Sequence, residues 1–145
     1  LPLAPCGIDN LIRALLPALA ALPALLVLDI QVYTGLPGVQ VQADGDKLVQ
    51  AVTNMVANAA EAAAPGEPVE LRTSGSAAAP CIEVRNGGEP IPPDVLERIG
   101  QPFFSTKGNG NGLGVAYIRR VATAHYWEFT LTSTPEEGTI ARLQL

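Results

Sequence analysis

Two asparagines four residues apart, Asn54 and Asn58, are the residues whose type and spacing best suit chemistry. They lie in an alanine-rich segment, residues 46–62, whose apolar residues recur at helical spacing. Gln50 precedes them by the same interval, so the three amides share one face of the predicted helix. Asparagine is worse than alanine as a helix former by about 0.5 kcal/mol or more, so its repetition needs another reason. Amide oxygens are neutral, hard ligands suited to Mg²⁺ that already carries phosphates, although two surface asparagines fit the pattern equally well.

A glycine-rich segment, residues 108–114 with the sequence GNGNGLG, leads into a predicted helix over about 113–124. Glycine at alternate positions lets the backbone adopt positive φ angles and approach a ligand closely. The first amides of the following helix would face this loop, and free helix amides bind phosphate. A flexible surface loop is the alternative for such a string taken alone.

Two further segments complete a pattern: NGGEPI at residues 86–91 and PFFSTK at residues 102–107. The order of polar helix, first glycine turn, Phe-Phe segment and glycine-rich loop resembles the catalytic and ATP-binding domain of sensor histidine kinases. The resemblance extends over residues 3–145, and the superfamily includes type II topoisomerases, Hsp90 chaperones and MutL proteins. NAAEA and PFFSTK are most similar to the nitrogen-regulator type of kinase.

The resemblance implies a role for each motif residue. Asn58 would bind Mg²⁺ and Asn54 would support it, while Lys107, just inside the mobile lid, would reach the γ-phosphate of ATP. A solvated lysine is the equally plausible alternative for Lys107. The other expected contacts to the nucleotide come from the two glycine segments: Gly88, Ile91, Gly110, Gly112, Leu113 and Gly114.

The first glycine turn departs from the commonest family pattern, DxGxG. Asn86 stands at the aspartate position and Pro90 at the second glycine position. In the family that carboxylate accepts a hydrogen bond from adenine, assisted by a threonine that Thr139 matches. A neutral acceptor is weaker than a charged one by about 1 kcal/mol, which puts affinity and adenine selectivity in question. A turn asparagine at a strand end is the alternative for Asn86.

The helix also distinguishes reaction types. In the hydrolysing branches of the superfamily, a glutamate four residues before the magnesium asparagine activates water, and here that position is Asn54. An amide is no general base near neutral pH, so the resemblance implies a kinase that transfers the γ-phosphate to a histidine supplied by a separate dimerisation domain. A degenerate, non-catalytic binding or scaffolding module is the main alternative, and an ATPase of the same fold is disfavoured.

Composition is consistent with one globular domain over residues 1–145. Hydrophobic residues make up 48% and charged residues 16% of the chain, which argues against disorder. The net charge of −5, without a basic cluster, argues against a nucleic-acid surface. We expect a cytoplasmic, monomeric domain from a longer kinase, whose partners are its own histidine-bearing dimerisation domain and a downstream response regulator. Cys6 and Cys81 are expected to be reduced core residues.

The secondary-structure pattern predicts an α+β fold, a two-layer sandwich. The resemblance implies that this sandwich is of the Bergerat ATP-binding type, with helices on one face of a mixed sheet. Asp9 or Asn10 is expected to cap a first helix that ends before Pro23, and Asp44 is expected to cap the asparagine helix. Strands are predicted within residues 25–33, 39–43, 69–73, 81–85, 128–133 and 138–145, with a short helix at 93–99. The single histidine, His125, is expected to be structural.

Overall fold

A computed structural model describes residues 1–20, 29–64, 66–99 and 113–145, apart from the side chains of Ala20 and Leu113. The helices are α1 (Ile8–Ala20), α2 (Gly45–Ala62), α3 (Pro93–Arg98) and α4 (Leu113–Ala124). The strands are β1 (Ala4–Gly7), β2 (Ile30–Tyr33), β3 (Gln40–Ala43), β4 (Val69–Gly75), β5 (Pro80–Asn86), β6 (Glu128–Thr134) and β7 (Gly138–Gln144).

A five-stranded mixed sheet forms one layer of the domain. Its strand order is β2-β4-β5-β7-β6, with β2 parallel to β4 and every other neighbouring pair antiparallel. β1 and β3 form a separate antiparallel pair. The predicted α+β fold with a mixed sheet is therefore confirmed.

Side chains alternate between the two faces of the sheet, as the period of a strand requires. On β4, Val69, Leu71 and Thr73 are buried on the helix side, whereas Glu70 and Arg72 lie on the other side. The outer face carries ion pairs across strands, the shortest being Arg142 to Glu83 at 2.7 Å. Its charged side chains remain partly exposed, so such pairs contribute little to stability.

Helix α2 supplies the centre of the core. Its buried residues recur at helical spacing and include Leu48, Val52 and Met55, each at most 1% exposed. Asp44 caps the helix as predicted: its side chain accepts a hydrogen bond from the Lys47 amide. α2 packs on α1, α4 and strands β4 and β5, so its polar face is positioned by the whole core.

The start of the first helix differs from the sequence-based expectation. α1 begins at Ile8, so Asp9 lies inside the helix rather than at its cap. Its carboxylate, only 4% exposed, accepts hydrogen bonds from the Leu36 amide at 3.0 Å and the Thr73 hydroxyl at 2.7 Å. Thr73 in turn accepts from the Gly35 amide at 2.9 Å. A buried carboxylate is stable only with such donors, which explains why Asp9 turns inward.

Strand β1 was not predicted, because its four residues show no alternation of apolar and polar side chains. Neither Cys6 nor Cys81 forms a disulfide, as predicted. Cys81 is 5% exposed and Cys6 is partly buried. Within the part of the chain that the structure describes, no helix has the length and apolar character needed to cross a bilayer.

Candidate nucleotide-binding site

The polar face of α2 lies against the start of α4. The Gln50 side-chain amide donates to the Asn54 oxygen at 2.8 Å, and the Asn54 nitrogen donates to the Gly114 carbonyl at 3.4 Å. Both hydrogen-bonding ends of the Asn54 amide are therefore engaged by neighbouring groups. Its orientation is set by a residue one turn earlier and by the backbone of α4.

Asn58 lies one turn further along α2, directly beside Gly114. A methyl group added at Gly114 would stand 3.5 Å from the Asn58 oxygen and 3.6 Å from its nitrogen. Asn58 is half-buried, so its amide lies at the edge of the core rather than in open solvent. With glycine at position 114, no side chain stands between the start of α4 and this amide.

The first glycine turn packs against the carboxyl end of α2. Gly88 has a φ of 121°, in the region that favours glycine, and a methyl group there would lie 2.9 Å from the Ala62 carbonyl oxygen. Any other residue at position 88 would push this turn away from the helix. The predicted importance of Gly88 thus has a steric reason in the fold.

The residues expected to contact adenine meet at one end of the sheet. Asn86 and Thr139 are opposite each other in the pairing of β5 with β7, and they are 4% and 9% exposed. The Thr139 hydroxyl lies 2.8 Å from the Ser133 hydroxyl, whose oxygen also accepts the Ile91 amide at 2.9 Å. Thr139 and Ile91, which were predicted from different motifs, are thus connected through Ser133.

Asn86 itself is held by its own turn. Its amide nitrogen donates to the Gly87 carbonyl at 2.7 Å, which leaves the amide oxygen as the end that serves as an acceptor. A methyl group at Gly138 would overlap the Asn86 carbonyl, so the hairpin glycine is required for this close approach. A buried amide whose nitrogen is bonded internally is suited to receiving a hydrogen bond from a ligand.

Comparison with known proteins identifies the fold and its family. The family described as "Histidine kinase-, DNA gyrase B-, and HSP90-like ATPase" matches residues 43–145, about seven-tenths of the chain. The chain belongs to this ATPase family. The family resemblance of the sequence motifs is therefore confirmed.

The relatives in this ATPase family are kinases. The chain is 32% identical over 108 residues to sporulation kinase C of Bacillus subtilis, covering 74% of this chain and 25% of that protein. It is 35% identical over 99 residues to the sensor histidine kinase ZraS of Escherichia coli O157:H7, covering 68% of this chain and 22% of ZraS. The chain thus spans about a quarter of the length of these relatives.

Solved structures agree on the fold. The catalytic domain of histidine kinase ThkA superposes with a TM-score of 0.88 at 24% identity, covering 100% of this chain and 95% of that domain. ThkA in complex with the response regulator TrrA superposes with a TM-score of 0.78 at 20% identity, covering 99% of this chain and 41% of that one.

Of the predicted site residues of this ATPase-family domain, the structure brings Asn54 and Asn58 to Gly114, and Asn86 and Ile91 to Thr139. Lys107, Gly110 and Gly112 lie outside the described residues, as does the side chain of Leu113, whose backbone begins α4.

One neighbour of the site, Ser133, was missed by the sequence analysis. Counting outward from the hairpin turn of the predicted β6–β7 pair would have placed Ser133 opposite Thr139, as observed.

Proposed function

We propose that this chain binds Mg²⁺-ATP and donates the γ-phosphate to a histidine on a separate dimerisation domain of the same protein. The observation that carries the proposal is the half-buried Asn58 amide directly beside Gly114 at the start of α4, with no side chain at position 114 between them. The glycine-rich segment ends at this point, so phosphates held by that segment would lie beside the amide. On this proposal residues 1–145 form a single ATP-binding catalytic domain.

The residues at the site fit a magnesium ion that arrives with its nucleotide. Asn58 offers a neutral oxygen at a half-buried position, and glycine at position 114 places no side chain against it. Asn54, held by Gln50 and Gly114, would support the coordination shell from one turn away. When bound, the ion would neutralise charge on the phosphates. An amide ligand suits this role because Mg²⁺ keeps most of its shell as water and phosphate oxygen.

Adenine recognition is assigned to the other end of the site. The Asn86 oxygen would accept from the adenine amino group, with Thr139 assisting, while Gly88 and Ile91 would border the base. Thr139 is oriented by Ser133, which is itself held by the Ile91 amide. This arrangement supports selectivity for a base that carries a hydrogen-bond donor.

Phosphoryl transfer is favoured over hydrolysis because of the state of Asn54. Its amide, already bonded at both ends, has no basic atom that could take a proton from water. On this proposal the nucleophile is a histidine supplied from outside this domain. Lys107 is proposed to reach the γ-phosphate, and Gly110, Gly112 and Leu113 to line the phosphate side of the pocket.

The partners follow from the same chemistry. A phosphohistidine is a donor for a second transfer, which makes a response regulator the proposed downstream partner. The ThkA structure in complex with a response regulator supports such a partnership. With a net charge of −5, the chain is not proposed to bind nucleic acid.

The test is a calorimetric titration of the purified chain with a non-hydrolysable ATP analogue, with and without magnesium. We expect saturable, magnesium-dependent binding, which Asn58→Ala weakens on the order of tenfold or more. Circular dichroism of the variant controls for folding.

The absence of binding by the folded wild-type chain would refute the nucleotide site and favour a degenerate scaffolding module. Equal affinity of wild type and Asn58→Ala would remove Asn58 from the metal role while leaving the nucleotide site in place.

A further inference from the structure

The single histidine of the chain forms two hydrogen bonds inside the core. His125, 8% exposed, follows the last residue of α4. Its Nε2 accepts the Asp44 backbone amide at 3.0 Å, and its Nδ1 lies 2.8 Å from the Val121 carbonyl oxygen. The ring also stacks on Trp127, with centroids 4.0 Å apart and an angle of 16° between the planes.

These partners determine the hydrogen-bonding roles of the two ring nitrogens. The Asp44 amide only donates and the Val121 carbonyl only accepts, so Nε2 is the acceptor and Nδ1 is the donor in this arrangement. The Nε2 lone pair is already used by Asp44. His125 is therefore not placed to act as the phosphorylated histidine, in agreement with the sequence-based expectation.

The position of Asp44 connects this contact to the candidate site. Asp44 is the N-cap of α2, so His125 joins the start of α2 to the end of α4. At the other end of the same helix pair, Asn54 joins the middle of α2 to the Gly114 carbonyl at the start of α4. The two helices run antiparallel, and the two links are separated by about 15 Å along them.

Two links at this separation prevent one helix from sliding or rotating along the other. We infer that His125 is a positioning residue for the proposed magnesium–nucleotide site. By holding the end of α4 against the N-cap of α2, it keeps Gly114 in register with the Asn54 and Asn58 amides. This inference rests on the proposed function. The imidazole would act through α4 and would not contact the ligand itself.

The first test needs no ligand. Side-chain and backbone amide signals of Asn54, Asn58 and Gly114 are recorded by NMR in the wild-type chain and in His125→Phe, which retains an aromatic ring next to Trp127. We expect these signals to shift in His125→Phe. In His125→Gln the amide oxygen restores an acceptor for the Asp44 amide, so the signals should return towards their wild-type positions. Unchanged signals in a folded His125→Phe would overturn the inference whether or not the nucleotide site exists.

The second test measures affinity for the magnesium–ATP analogue per folded molecule. We expect His125→Phe to weaken binding on the order of tenfold, because small displacements within a site are costly, and His125→Gln to recover most of the loss. Thr73→Val is the matched control, since it removes buried hydrogen bonds elsewhere and should leave affinity unchanged. If the wild-type chain binds the analogue and His125→Phe binds it with equal affinity, the positioning role is contradicted while the proposed function stands.

A second pair of variants tests the same hydrogen bond from its donor side. Asp44→Pro deletes the donated amide hydrogen, and the residue before it is already in a strand, as proline requires. Asp44→Ala keeps that hydrogen but also loses the cap to Lys47, so the difference between the two isolates the bond to His125. We expect Asp44→Pro alone to reproduce the His125→Phe shifts, and identical behaviour of the two variants would count against the inference.

Discussion

Gly114→Ala is expected to stabilise the fold while it weakens nucleotide binding. Gly114 is the second residue of α4, and alanine is favoured over glycine within a helix by about 0.5–1 kcal/mol. The new methyl group would meet the Asn58 amide at 3.5–3.6 Å, an ordinary contact without a clash. Near a helix end we expect the lower figure, a gain of about 0.5 kcal/mol and a rise in Tm of about 1–3 °C.

The effect on binding has the opposite sign because the methyl group occupies the space over Asn58. If this amide faces the metal and phosphates, covering it should weaken binding of the magnesium–ATP analogue at least about tenfold, equivalent to about 1.4 kcal/mol. An opposite change in stability and affinity cannot arise from general damage to the fold. It would report specifically on the contact between position 114 and the Asn58 amide.

The assay combines urea unfolding with calorimetric titration of the same preparations. Gly45→Ala is the matched control: Gly45 begins α2, and its added methyl group would meet only the Cys6 sulfur, at 3.5 Å. It should have little effect on stability and none on affinity. A Gly114→Ala variant that binds as tightly as wild type would refute the assignment of the Asn58 face, and one that is destabilised would refute the steric argument.

Three further predictions concern the turn after α4, a buried thiol and the adenine end. Tyr126 has a φ of 60°, which favours glycine, and its side chain is 98% exposed. Tyr126→Gly should therefore raise the free energy of unfolding, measured in urea, by about 1 kcal/mol. An equal gain in Tyr126→Ala would contradict the explanation from the φ angle. Burial, and then the nearby Glu83 carboxylate, raises the pKa of the Cys81 thiol. The folded state therefore keeps a proton that the unfolded chain releases, and the free energy of unfolding should fall as pH rises above about 8.5. In urea unfolding, Cys81→Ala should lack this fall in stability. An identical pH dependence of the variant and the wild type would argue against the role of the thiol. Asn86→Asp should tighten ATP binding in calorimetry, because a charged acceptor is stronger. Affinity is compared per folded molecule, because the variant also loses the hydrogen bond to the Gly87 carbonyl, and weaker binding would count against the adenine assignment.

Several elements could be predicted because their signals are local. Each of these signals depends on residues that are close together in the sequence. Examples are the cap at Asp44, the helical spacing of Leu48, Val52 and Met55, and the alternation on β4. Each motif that carried the family resemblance is likewise a short run of neighbouring residues. These features survive in the sequence because neighbouring residues share the same element.

The start of α1 was misjudged because a buried carboxylate outweighed a local preference. Asp9 is a good helix cap by type, but its donors, Leu36 and Thr73, come from distant parts of the chain. No sequence window contains all three residues. The buried hydrogen bonds, rather than the capping preference, determine where this side chain points.

The sequence by itself determined the types of residue at the site, their order and the helices and strands that carry them. Only the tertiary structure decided that Asn58 faces Gly114, that Ser133 orients Thr139 and that His125 holds the N-cap of α2. Local preferences act over a few residues, whereas the Asp44–His125 contact joins residues 81 positions apart. Such a contact exists only because the packing of α2 on α4 brings its two ends together.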